Sequence, residues 1–267
     1  MPLRLACLCL ALLTACAAEP ARDFRAEADF VIVGEVHGVP EHHATQARIA
    51  AEMQPAAIVF EQIDSADTAL VNGLLANGAD AATIADRLAW DETGWPDFAL
   101  YHQIMLAAPD ALIVGGGASR ADVRRARQEG AAAAFGANAA RYGLDSPLPA
   151  PERAIREQLQ IDVHCGAIPA RLASGFVEAQ RFRDARLAEA VLLAWERTDN
   201  RRVLLVTGNG HARVDYGVPA LLDIATPALR SYSIGQVGEG DSTPFNEVIV
   251  TPLPAGSDPC DGLNPVG

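Results

Sequence analysis

The chain has 267 residues, with 34 acidic side chains against 21 basic ones and a formal net charge of −13. That balance argues against a nucleic-acid partner and against a charge-driven hold on anionic lipid. All 21 basic residues are arginine, which excludes lysine Schiff-base chemistry, a pyridoxal-phosphate lysine and a Walker-type phosphate loop, each built on an ammonium group.

Met1 to Ala15 (1–15) reads as an export signal, with Arg4 ahead of an apolar stretch, Leu5 to Leu13, that is too short to span a bilayer. It runs into Leu13-Thr14-Ala15-Cys16, the pattern of a bacterial lipobox, which implies cleavage before Cys16 and lipid on that residue. The plainer alternative is an ordinary cleaved signal with a coincidental cysteine. Ala17, in place of an aspartate, favours the outer membrane, facing the periplasm. Residues 16–28 then serve as anchor and linker, and 29–257 is long enough for one large domain with its own core.

From Phe30 onward, apolar runs alternate with helical patterns, which predicts an α/β fold: a mostly parallel sheet flanked by helices. Strands are expected at Phe30–Gly34, Ala57–Glu61, Ala111–Gly115, Val203–Gly208, Ser231–Gln236 and Glu247–Thr251. Their Val, Ile and Leu content suits a sheet covered on both faces. Ala44, Ala47, Ile49 and Ala50 give a helix over Glu41–Met53 its apolar stripe, and this closes a right-handed βαβ unit. A second helical piece covers Asp64–Trp95. Between the third and fourth strands lie an Arg- and Ala-rich segment, Ser119–Ala140, the linker Asp145–Pro151, a helix over Glu152–Gln160 and a longer one over Phe176–Arg197. Residues 119–174 read as a smaller helical insertion domain over the strand-end crevice, and 258–267 as a loose tail. Once Cys16 carries lipid, Cys165 and Cys260 remain in an oxidising compartment, where a disulfide is the default outcome if geometry allows it.

Two strands end alike, in Gly34-Glu35-Val36-His37 and Gly208-Asn209-Gly210-His211. In open parallel sheets ligands collect beyond the carboxyl ends of the strands, so His37 and His211 are expected to face one site. Glu61, ending the second strand, is expected to share that crevice with Glu35. Carboxylates held close together push one pKa upward, as an acid/base pair or metal site needs. The bland alternative for Glu61 is an ion pair with an arginine such as Arg120. Imidazole and carboxylate suit zinc, iron, manganese or copper, with His37, His43, Glu61 and His211 as the ligand set. Otherwise His42 and His43 are simply solvated at a polar helix start.

Gly115-Gly116-Gly117 would let backbone approach a ligand, and the helix start after it could offer amides to a propionate or phosphate. There is no dinucleotide fingerprint and no Gly-x-Ser-x-Gly elbow. Gln180 and Asp184 share a helix face beside Arg183 and Arg186, a pattern more typical of a salt-bridged helix than of a site. Catalysis by Cys165 is disfavoured, since a pairing histidine normally comes from elsewhere in the chain than its neighbour His164. Tyr216 lies close to the second tetrad, and tyrosinate can bind ferric haem iron.

In order along the chain, several groups of residues resemble the ChaN-like haem-binding family of the Tiki/TraB superfamily. They are Gly34-Glu35-Val36-His37 with His42, His43 and Gln46; Gly94-Trp95-Pro96-Asp97-Phe98 with Tyr101; and His164-Cys165-Gly166 with Pro169. Ala179-Gln180 with Arg183-Asp184-Ala185, and Gly208-Asn209-Gly210-His211 with Tyr216-Gly217-Val218-Pro219, complete the set. The resemblance implies a membrane lipoprotein that handles haem or iron, in iron uptake. His37, His211, Tyr216 and Arg120 are the haem-binding candidates, and a homodimer is allowed. The chain departs from the pattern at Gly38, where many relatives carry an acidic residue, and at Leu187, where methionine is usual. More distant relatives resemble metal-dependent proteases and erythromycin esterases. The competing expectation is therefore a hydrolase built on Glu35, His37, Glu61 and His211, with or without Zn or Mn, in which histidine serves as base or ligand and glutamate activates water.

Overall fold

Six parallel strands form one sheet, in the order β3-β2-β4-β1-β5-β6. They are β1 (Phe30–Glu35), β2 (Ala57–Asp64), β3 (Leu112–Gly117), β4 (Val203–Gly208), β5 (Ser231–Val237) and β6 (Glu247–Val250). The computed structural model describes residues 24–254 and Cys260; the export signal, Cys16 and the rest of the 258–267 tail lie outside the described residues. The helices are α1 (Phe24–Glu27), α2 (Pro40–Met53), α3 (Thr68–Ala76), α4 (Ala81–Arg87), α5 (Ala99–Ala107) and α6 (Arg120–Glu129). They continue as α7 (Ala131–Phe135), α8 (Ala150–Val163), α9 (Ala170–Arg197), α10 (Asn209–Ala212) and α11 (Val218–Ala225).

Successive residues of a strand point to opposite faces, and here both faces are apolar. Phe30 and Ile32 of β1, with Val203 and Leu205 of β4, pack under Phe182 and Val191 of α9. Val31 and Val33, with Leu204 and Val206, pack under Ile49 of α2 and Ile104 of α5. The parallel sheet flanked by helices is thus the one that the apolar runs imply. α9 is 28 residues long, six more at its start than the periodicity marks out. It lies across β2, β3 and β4, and α6, α7 and α8 pack on it.

Two expectations change in detail. The helical stretch over Asp64–Trp95 breaks into 3₁₀ turns and the helices α3 and α4, with Gly78 at positive φ between α3 and α4 and Gly94 at positive φ past the last turn. β2 also runs three residues past Glu61, with an irregular register against β3 between Phe60 and Asp64. The glycines at the end of β3 explain this: a Cβ on Gly115 would lie 2.2 Å from the Asp64 carbonyl oxygen, and one on Gly117 would lie 2.7 Å from that of Glu61. Close approach is what these glycines provide, but the backbone they admit is that of β2.

Cys165, just past α8, is joined to Cys260 by a disulfide, which ties the chain's end to the α8–α9 turn.

Candidate functional site

The register brings three strand ends together. Glu35 of β1 pairs with Gly208 of β4, and Val206 of β4 pairs with Phe60 of β2, so that Glu61 sits beside Thr207. α9 passes over this edge and presents Gln180, Arg183 and Asp184 to it.

Glu35 is the centre of the first cluster. Its side chain is fully buried, and its oxygens accept hydrogen bonds from Gln46 Nε2 at 2.7 Å, Gln62 Nε2 at 3.3 Å and the Tyr101 hydroxyl at 3.3 Å. His37 Nδ1 lies 2.7 Å from Glu35 Oε1. Enclosing a carboxylate with this many donors is what makes its burial tolerable. His42, His43 and Gln46 occupy one inward face of α2, at the helical spacing that brings them to the end of β1. His42 Nδ1 accepts from the Val36 amide at 3.0 Å. His43 is fully buried behind Glu35, 3.5 Å from Oε2, and packs edge-on against Tyr101. Burial pushes both histidines below the ordinary imidazole range. They are therefore neither solvated nor, in the case of His43, placed to meet a ligand: it does not line the cavity.

The second cluster is built around Glu61 and His211. Glu61 Oε2 accepts from the Thr207 hydroxyl at 2.6 Å and the Gly208 amide at 2.8 Å, while Oε1 pairs with Arg183 Nη2. His211, on the short α10, has Nδ1 2.6 Å from Asp184 Oδ1 and Nε2 3.4 Å from Glu61 Oε1, with the Gln180 amide 2.9 Å from Nδ1. Burial opposes a charge on His211, but Glu61 and Asp184 outweigh it and push its pKa up to about 9. Burial also works against charge on Glu61, yet His211 and Arg183 hold its carboxyl well below the usual range. For Asp184 burial prevails over the neighbouring His211, and its pKa is raised. That shift favours the charged form of His211 at neutral pH, and both of its nitrogens are turned to carboxylates.

Between the clusters opens a cavity of about 920 Å³, whose lining includes His37, His211, Tyr216, Leu159, Val163 and Arg183. His37 and His211 do share it. The His37 side chain is 37% exposed, and its ring packs edge-on against Trp95, 4.9 Å between centroids. Gly208 makes room for it: a Cβ there would lie 3.0 Å from His37 Nε2. Burial lowers the His37 pKa, but the Glu35 hydrogen bond and the charges of Glu61 and Glu35 outweigh that, and the net shift is upward. Tyr216 is held between guanidinium groups, with Arg213 3.8 Å and Arg156 3.9 Å from its ring centroid, and its buried hydroxyl has no hydrogen-bond partner.

Arg120 stands elsewhere. It donates to the carbonyls of Glu92 and Thr93, at 3.0 and 2.8 Å, and lines a neighbouring cavity of about 640 Å³. The arginine that meets Glu61 is Arg183, because α9 and not α6 crosses the end of β2. Among the described residues, no group of three or more His, Cys, Asp or Glu side chains could hold a metal ion. Gln180 and Asp184, which the sequence reads as a salt-bridged helix face more than as a site, belong to the site. Their i, i+4 spacing on α9 marked a shared polar face, and the second tetrad is what that face meets.

The description "haem-binding uptake, Tiki superfamily, ChaN" matches residues 24–222. Among solved structures, one titled "Cofacial heme binding to ChaN of Campylobacter jejuni" is 19% identical, with a TM-score of 0.65 over 84% of this chain and 88% of that one. At that identity the likeness is one of fold. The type III effector HopBA1 is 13% identical, with a TM-score of 0.46 over 86% of this chain and 90% of the other. A succinoglycan biosynthesis protein is 11% identical, with a TM-score of 0.45 over 80% and 67%. No curated protein sequence matches the chain. With three strand ends, two histidine clusters and a family match over most of the described residues, the chain belongs to the ChaN family of haem-binding uptake proteins in the Tiki superfamily.

Proposed function

We propose that this protein is a lipid-anchored carrier which holds haem for iron uptake, at the periplasmic face of the outer membrane, in the cavity above β1 and β4. The observation that carries the reading is His37. One of its nitrogens is fixed by a buried carboxylate, and its partly exposed ring lines a cavity of about 920 Å³. Metal-bound histidines are typically oriented through their other nitrogen in this manner. The volume falls in the range of small-molecule sites, roughly 300–1,000 Å³. Leu159, Val163 and Trp95 supply apolar wall, Arg183 a cation for an acidic edge, and Tyr216 a buried hydroxyl without a partner. These residues fit a flat, amphipathic, iron-bearing ligand; when bound, haem would supply the iron and His37 Nε2 would hold it. His211 is unsuited to that role, since both its ring nitrogens are turned to carboxylates, Nδ1 to Asp184 and Nε2 to Glu61. Membrane attachment rests on Leu13-Thr14-Ala15-Cys16; among the described residues no helix is long and apolar enough to cross a membrane.

Titration with hemin tests the reading. A saturable Soret band is expected from the protein lacking Met1 to Cys16, and its loss or displacement in His37→Ala. Absence of a saturable band overturns it. For the anchor, Cys16→Ser is expected to abolish labelling by radioactive fatty acid.

A second reading is favoured by one specific feature, the Glu35–His37 dyad lining the same cavity as Arg183. It is a hydrolase in which His37 is the base, water the nucleophile and Arg183, already paired with Glu61, the nearby cation for a developing oxyanion. Zn or Mn would need ligands that His211 and His43 do not offer in this arrangement. Turnover of simple esters that is lost in His37→Ala, together with no hemin binding, would select it.

A further inference from the structure

Where α6, α8 and α9 converge beside the main cavity lies a recess of about 170 Å³, lined on its polar side by Arg124, Arg127, Gln160, His164, Gln180 and Arg183. Gln160, His164, Gln180 and Arg183 also line the main cavity, so the two spaces adjoin. Among the described residues no carboxylate lines the recess, although acidic side chains outnumber basic ones 34 to 21 in the chain.

Arg124 and Arg127 are three residues apart on α6 and therefore share a face, where like charges repel. The other arginines of that helix are occupied. Arg120 donates to two backbone carbonyls, and Arg125 donates to those of Ala133 and Ala134 while pairing with Glu129. Arg127 has the Phe176 ring, 5.1 Å from its guanidinium carbon, which positions it without satisfying its donors. Arg183 is held at the edge of the recess by Glu61. Three guanidinium groups thus border one small space that has no acid of its own. Guanidinium donors come as a planar fork that matches carboxylate and phosphate oxygens, and a charge-assisted pair of that kind is what would offset the repulsion. At about 170 Å³, the recess is smaller than the roughly 300 Å³ at which sites for whole organic ligands begin, so it suits an anionic group or a small anion.

We propose that this recess is an oxyanion site for a carboxylate or phosphate group. Resting on the reading of the main cavity as a haem site, it seats the acidic edge of the ligand whose ring lies against Leu159 and Val163.

The test compares hemin with hemin dimethyl ester on the full chain in detergent. Wild-type protein is expected to bind the free acid at least about tenfold more tightly than the ester. In Arg124→Gln/Arg127→Gln that preference falls to about twofold or less while the Soret maximum keeps its position, and Arg124→Gln alone, which disturbs no hydrogen bond, gives an intermediate loss. The same proteins are titrated with inorganic pyrophosphate by calorimetry. Equal affinity for acid and ester, with pyrophosphate binding that the double variant loses, identifies free phosphate as the occupant and keeps the site. Equal affinity with no pyrophosphate binding overturns the proposal. If hemin does not bind at all, the reading of the main cavity fails, and the pyrophosphate titration alone decides the recess.

Discussion

The two Gly-x-x-His tetrads are built from the same strand-end geometry and end in opposite chemical states. His37 is tethered through one nitrogen and 37% exposed, whereas the His211 side chain is 6% exposed and lies between Asp184 and Glu61. The difference arises from what crosses each strand end. α9 lays a carboxylate and an amide against His211, while the edge of Trp95 lies against His37. A repeated motif therefore fixes where a side chain emerges and leaves its role to the element packed above it. Here one histidine braces the site and the other is available to it.

Removing the brace should have the largest effect. Asp184→Ala leaves a buried imidazolium with one partner lost, and a cost of about 3–5 kcal/mol is expected from urea unfolding. His37→Ala, which removes a partly exposed ring, should cost under about 1 kcal/mol by the same measurement. Equal losses would break the distinction.

Titration of stability follows from the same asymmetry. The folded pKa of His211, about 9, stands above the unfolded value of roughly 6.5. Its contribution is therefore fully present below pH ~6.5 and is lost as pH rises through about 9; on the order of 3 kcal/mol is at stake. The urea midpoint should fall across that window in wild-type protein and fall less in His211→Gln.

The tetrad glycines offer a finer contrast. A Cβ on Gly34 would lie 2.3 Å from Asn209 Oδ1, and Asn209 is bound to the Gln236 backbone through both ends of its amide. Gly34→Ala should therefore cost about 1–3 kcal/mol through that displaced amide. Gly208→Ala would bring its Cβ to 3.0 Å from His37 Nε2, where a side chain has to give by only a few tenths of an ångström, and should cost less than about 1 kcal/mol while disturbing ligand binding more than stability.

Much of this arrangement is legible in the sequence. The β1, β2 and β4 runs are apolar on both faces up to their polar ends, which specifies a covered parallel sheet, and the strand-end rule then places Glu35, His37, Glu61 and His211 at one edge. What the chain does not announce is the partner across a gap. The Gln180–Asp184 face of α9 is visible as a polar stripe, but only the crossing of α9 over β2 and β4 shows that it meets His211 and Glu61. His43 was legible as a ligand type and not as a buried neighbour of Glu35. The Gly115–Gly117 run marked a close approach, but the irregular end of β2 as its occupant depends on a register shift that no local pattern encodes.

The last contrast is in the pH dependence of hemin affinity. The His37 pKa is raised, and a proton on its ring competes with iron. Affinity of the wild-type protein should weaken about tenfold per pH unit below that pKa, and an affinity independent of pH would contradict the assignment.

The most direct measurement is hemin titration, followed by Soret absorbance at pH 8, of wild type, His37→Ala and His211→Gln side by side. The account predicts that wild type gives a saturable band, that His37→Ala loses or displaces it, and that His211→Gln keeps the band at its wild-type wavelength while melting earlier. A band unchanged in His37→Ala and abolished in a folded His211→Gln would contradict it, because the bracing histidine would then be the one that meets the iron.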